Sequence, residues 1–242
     1  MSVQTEHDTL NRLTPDRQTR PGWPELLVGL VVMAVVAYGV GIALRVTGAA
    51  AAMGPVAFGV ILAALSGVAG LIAFGAADRL RVRDWSAFGV RRTSRRWILI
   101  GLAAGLVALV VANLLSTLIL SLFDLPTDTQ QSYADAAGGG VVPAILSALF
   151  LGVLTPIGEE FLFRGVVATV LLRYGALIGV VGSALIFAAM HGPNIVFVTA
   201  LVVGLIAAEL RRRSGSVWPG VVAHLVNNVI VHGALVVLAL TS

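Results

Sequence analysis

The chain has no cysteine, which excludes disulfides, thiol catalysis and thiolate metal sites. It has no lysine either, so all 16 basic residues are arginine. Charge is scarce: 12% of residues carry one, where a soluble domain carries about 25%. No His-Glu-x-x-His, Gly-x-Ser-x-Gly or Gly-x-Gly-Asp pattern occurs, so the sequence signatures of zinc, serine and aspartyl proteases are missing. The strand-length alternation of an outer-membrane barrel is missing too.

What is present is apolar. Hydrophobic residues make up 58% of the chain, and the mean hydropathy is +0.96. Runs of roughly 20 apolar residues recur, each long enough for a membrane-spanning helix. The expected fold is all-α: a polytopic helical membrane bundle of about seven spans. These run roughly over 25–44, 53–77, 97–122, 141–172, 176–191, 195–210 and 217–240. Residues 1–22 read as a polar cytoplasmic tail and 23–242 as a single transmembrane domain.

Orientation follows from the arginines. The 78–96 loop holds Arg79, Arg81, Arg83, Arg91, Arg92, Arg95 and Arg96 against two aspartates. Arg173 and Arg211–213 close later spans, while 123–140 carries Asp124, Asp128 and Asp135 and no base. Cytoplasmic loops are enriched in arginine and lysine, so the N-terminus is expected inside and the acidic loop outside. The same distribution explains the net charge of +4 without a nucleic-acid partner.

Some features serve packing or interface roles. Gly101 and Gly105 have the GxxxG spacing that lets helices approach closely. Glu209 is expected to pair with the arginines beside it, and Asn113 and His232 are read as structural. A helix over 141–172 would be ~48 Å long, longer than the ~30 Å hydrocarbon core. Pro156 and Gly158 are expected to break or kink it.

Against this background a few ionisable residues stand inside the last four spans. Glu159-Glu160-x-x-x-Arg164 puts Glu160 and Arg164 on one helical face, in the favourable acid-before-base order. Glu159 is rotated away by about 100°. Phe187-x-x-x-His191 and His224-x-x-x-Asn228 are two further one-face pairs, and His191-Gly-Pro-Asn194 reads as a turn. Burying such groups separately in lipid is costly, and convergence in one wet cavity removes the cost. A carboxylate and an imidazole can activate water; a second imidazole and a carboxamide can donate to an oxyanion. That inventory suits amide hydrolysis without a covalent nucleophile. By residue count from the cytoplasmic ends, however, His224 lies at about half the depth of Glu159 and His191.

The three motifs, together with Arg213-Ser-Gly-Ser-Val-Trp-Pro219, resemble those of the CAAX-processing and bacteriocin-processing (Abi, CPBP) family of intramembrane proteases. The resemblance covers about 140–232. It implies that Glu159 and His191 activate the attacking water, and that His224 and Asn228 hold the oxyanion. Glu160 with Arg164 would order the site, and Phe187 would pack beside it. No cofactor is implied; a Glu/His/His zinc site is the metal alternative. The expected partners are the lipid bilayer and a peptide or membrane-protein substrate, in a bacterial plasma (inner) membrane. The alternatives are a non-catalytic regulator or bacteriocin-immunity protein of the same fold, and a proton-coupled transporter.

Overall fold

The computed structural model describes residues 20–126 and 128–241. The polar tail read over 1–22 lies outside the described residues as far as residue 19. Helices make up the described chain, with no strand among the described residues. In chain order they are α1 (Trp23–Val46), α2 (Ala49–Leu80), α3 (Arg95–Leu122), α4 (Gln131–Gly138) and α5 (Val141–Tyr174). Then follow α6 (Ile178–Ala189), α7 (Val196–Ser214) and α8 (Trp218–Thr241). Helices α1, α2, α3 and α5 are each long and apolar enough to cross a membrane. Each apolar stretch expected from the sequence forms one of these helices.

Two local expectations change. The acidic 123–140 segment, read as a loop, contains α4, which docks on α2. Of the break or kink expected at Pro156, helix α5 shows no break. Its backbone stays in the right-handed helical region while two π-helical stretches, Phe150–Leu154 and Phe161–Val167, interrupt the α-helical hydrogen bonding. Proline disrupts an α-helix by removing an N–H and crowding the carbonyl four residues back; the π turn just before Pro156 changes that spacing. The break comes in α2 instead, where Gly54 takes φ 81°, ψ 166° ahead of Pro55.

Helix α5 is the axis of the molecule. Its residues from Phe161 to Leu171 are nearly all buried, against Leu26 and Met33 of α1, Ala69, Ala73 and Phe74 of α2, and Ala200 of α7. Helix α3 turns Leu99, Leu102, Val107, Val110, Leu114 and Leu118 outward, an apolar surface suited to lipid. Its opposite face meets α8. A methyl on Gly101 or Gly105 would stand 2.6 Å from the carbonyl oxygen of Pro219 or Ala223, so the GxxxG spacing does allow close helix approach here.

The arginine-rich segments gather at one end of the bundle. Arg81 grips Glu25 through two 2.7 Å hydrogen bonds, and Arg173 donates to the Pro21 carbonyl at 3.0 Å. Arg91 donates to the Gly215 carbonyl at 2.8 Å. Glu209 accepts from both Arg212 and Arg213, as expected. Just inside, Phe74, Trp85, Phe88, Phe161 and Trp218 stack edge to face with centroids 5.2–6.2 Å apart.

Candidate active site

A small-residue seam brings two helices together. Gly67 and Gly70 of α2 lie against Leu154 and Gly158 of α5, so closely that a methyl on Gly158 would stand 2.0 Å from the Gly67 carbonyl oxygen. Nothing but hydrogen fits between these backbones. The side chains flanking the seam, Ser66 and Glu159, are thereby forced together, and Ser66 Oγ donates to Glu159 Oε1 at 2.6 Å. Glu159 Oε2 accepts no hydrogen bond and stands 3.8 Å from His224 Nε2.

Glu160 faces the other way, as its helical position requires, and is fully buried. Its Oε1 lies 3.0 Å from Arg164 Nη1 and 3.2 Å from His224 Nδ1. The Oε2 of Glu160 packs toward Gly220, where a methyl would stand 2.6 Å away. Arg164, 1% exposed, donates to the Gly204 carbonyl at 3.2 Å and stacks over the Phe187 ring at 4.5 Å. A buried ion pair is seldom a net source of stability, but removing one partner strands the other charge. Here Glu160, Arg164 and Phe187 form a rigid frame around His224, whose ring lies edge to face on Phe187 at 5.7 Å.

His224 therefore sits between the two glutamates, one on each ring nitrogen. A carboxylate only accepts, so Nδ1 donates to Glu160 and Nε2 is presented beside Glu159. The depth mismatch counted from sequence has a structural cause. Ser216 and Val217, at the turn before α8, are fully buried rather than at the surface. Ser216 Oγ donates to the Arg91 carbonyl at 2.7 Å and Val217 N to the Gly89 carbonyl at 2.9 Å. The 85–92 segment covers this turn, so α8 starts deep and carries His224 to the level of Glu159.

His191 stands in the expected turn just after α6, where Gly192 has φ 79°. Asn194 ties the turn, donating to the His191 carbonyl at 2.7 Å and accepting from Val196 N at 2.8 Å. His191 Nδ1 lies 3.0 Å from the Phe187 carbonyl, which can only accept; Nδ1 is thus the donor and Nε2 is left for the cavity. The ring stacks edge to face on Phe187 at 4.8 Å. Asn228 donates from Nδ2 to the Leu151 carbonyl at 3.0 Å and accepts on Oδ1 from Asn227 at 3.1 Å. The carbonyl of Leu151 lies in the first π turn of α5.

One cavity of about 810 Å³ is lined by Glu159, Phe187, His191, His224, Asn227 and Asn228, whereas Glu160 and Arg164 are not among its lining residues. The structure thus brings the motif residues of α5, α6 and α8 to one site. It adds residues that no motif marks: Ser66 of α2, Tyr38 of α1 and Tyr133 of α4. His232 and Asn113, read as structural, also line the cavity. Burial first, and then the charge of Glu159, push the Tyr133 phenol above its ordinary value, so it stands at the cavity as a protonated O–H. Only Ser66 had a signal in the sequence, as a hydroxyl beside the small residues Gly67 and Gly70. Among the described residues, no three His, Asp or Glu side chains stand together in an arrangement that would hold a metal ion.

No curated protein and no solved structure matches the chain. Residues 140–230 match the family model described as Rce1-like, Type II CAAX prenyl endopeptidase Rce1-like. That region holds Glu159, Glu160, Arg164, Phe187, His191, His224 and Asn228, and leaves out α1 to α4. The motif-bearing core is therefore similar to the type II CAAX prenyl endopeptidases of the Rce1-like family, the family of membrane proteases that its motif order resembles.

Proposed function

We propose that this protein is an intramembrane endopeptidase that hydrolyses a peptide bond with water activated by Glu159. One observation carries the reading: Ser66 holds one carboxylate oxygen of Glu159, the other accepts no hydrogen bond, and Glu159 lines a cavity shared with two imidazoles and a carboxamide. A base must reach the proton that it takes, and Oε2 keeps its full capacity to accept one.

In this reading a water at Oε2, hydrogen-bonded also to His191 Nε2, loses its proton to Glu159 as its oxygen attacks the scissile carbonyl. The new C–O bond pushes the carbonyl electrons onto oxygen. As the imidazolium, with Nδ1–H on Glu160, His224 donates its Nε2–H to that oxyanion, and Asn228 donates an amide N–H, the kind of stabilisation whose loss costs about 10²–10³ in rate. Collapse breaks the C–N bond, and the proton held by Glu159 passes to the leaving amine. Glu160, Arg164 and Phe187 hold His224 in place and take no part in bond making.

The membrane setting belongs to the same proposal. Helices α1, α2, α3, α5, α6, α7 and α8 would each cross the bilayer, seven in all, with the N-terminus and the arginine end in the cytoplasm of a bacterial cell. The test compares new peptide termini in membranes holding equal amounts of wild type or Glu159→Gln. Termini found only with wild type support the protease and name its substrate. Identical profiles, also under envelope stress, would overturn it in favour of a non-catalytic regulator.

A further inference from the structure

The cavity opens at one end of the bundle, and the arginines lie at the other. Its outer rim is formed by Arg45 at the end of α1, Thr129 and Gln130 before α4, Tyr133 on α4, and Asn194 in the α6–α7 turn. Its floor is Glu159 and His224. No residue of the 79–96 segment, nor Arg173 nor Arg211–213, lines it. Between the floor and the arginine end stands the aromatic layer of Phe74, Phe161 and Trp218, and beneath it the buried turn at Ser216 and Val217.

Which end faces the cytoplasm follows from charge. The arginine end gathers the 79–96 segment, Arg173 and Arg211–213, joined by three contacts: Arg91 to Gly215, Arg173 to Pro21, Arg81 to Glu25. The rim end has Asp124, Asp128 and Asp135 in its connecting segment and Arg45 as its one arginine among the described residues. Arginine-rich connections stay on the cytoplasmic side. The rim therefore faces out.

We propose, on the basis of the protease reading above, that the site takes its substrate from the extracytoplasmic side. The substrate class is an extended polypeptide segment exposed there, belonging to an exported or membrane-anchored protein, and not a prenylated C-terminus in the cytoplasm. The rim chemistry agrees. Thr129, Gln130 and Tyr133 offer neutral hydroxyl and amide groups, with the guanidinium of Arg45 beside them, and such groups hydrogen-bond a peptide backbone as it passes inward.

The absence of native cysteine makes the test direct. Single-cysteine variants Thr129→Cys at the rim and Arg92→Cys at the arginine end, both exposed positions, are treated in intact spheroplasts with a membrane-impermeant maleimide. Thr129→Cys is expected to label at once, and Arg92→Cys only after permeabilisation. The reverse pattern overturns the proposal whether or not the protein is a protease. A second measurement places the Glu159-dependent termini. Cut sites in extracytoplasmic segments support the proposal; cut sites confined to cytoplasmic segments overturn it while leaving the protease reading intact. Absence of any Glu159-dependent terminus counts against the protease reading, and the labelling pattern still decides which way the cavity faces. Blocking gives a third readout: in Thr129→Cys, impermeant maleimide added outside is expected to cut proteolysis at least about 10-fold, with no effect on the cysteine-free wild type.

Discussion

Ser66 Oγ donates to Glu159 Oε1 across 2.6 Å, from a helix that contributes none of the motif residues. The bond fixes one oxygen of the carboxylate, while the other accepts no hydrogen bond. Misplacing a reacting group by about 1 Å can cost about 10²-fold. Ser66→Ala is expected to lower kcat by about 10- to 100-fold with little change in KM, and Ser66→Thr, which keeps the hydroxyl, to recover much of it. Steady-state kinetics on a cleaved reporter check this; a full-rate Ser66→Ala enzyme would remove Ser66 from the positioning of Glu159.

The two adjacent glutamates should fail differently. Glu159→Gln keeps an oxygen to accept from Ser66 and is expected to abolish cleavage at unchanged thermal stability. Glu160→Gln or Arg164→Ala strands a buried partner, a loss of roughly 3–5 kcal/mol for buried pairs. Those variants should show lowered melting temperature in detergent along with lost activity. An Arg164→Ala protein as stable as wild type would contradict the framing role.

The helix seam can be tested without touching a polar group. Gly158→Ala would place a methyl 2.0 Å from the Gly67 carbonyl oxygen, and α2 must move away. Overpacking of this kind costs typically about 1–3 kcal/mol. Separation also pulls Ser66 from Glu159, so activity should fall further than the melting temperature alone explains. Gly75, with open space around its Cβ position, is the control, and Gly75→Ala should be neutral.

Asn228 and Asn227 should separate into donor and support. Asn228→Ala is expected to lower kcat by about 10²–10³, as loss of one oxyanion donor does. Asn227 donates to Asn228 Oδ1 at 3.1 Å and fixes which way that amide points, so Asn227→Ala should cost less, about 10-fold. Equal losses would mean that Asn227 itself meets the substrate.

Metal dependence has a plain outcome. Water activation by Glu159 needs no metal, and treatment with a chelator is expected to leave the cleavage rate unchanged. Loss of activity restored by added Zn²⁺ would instead support the zinc alternative.

The sequence alone determined the helical class, the positions of the apolar helices and the motif residues of the candidate site, because these follow from local properties. A 20-residue apolar run has to satisfy its own backbone in lipid as a helix, and motif residues four apart share a face wherever the helix lies. That Glu160 pairs with Arg164 while Glu159 points elsewhere was legible for that reason. Tertiary structure decided what depends on neighbours distant in the chain. It set His224 level with Glu159 because the 85–92 segment buries the turn before α8, which residue counting cannot register. It kept α5 whole across Pro156 through a π turn, and it chose Ser66 as the partner of Glu159 because glycines on both helices let two backbones touch.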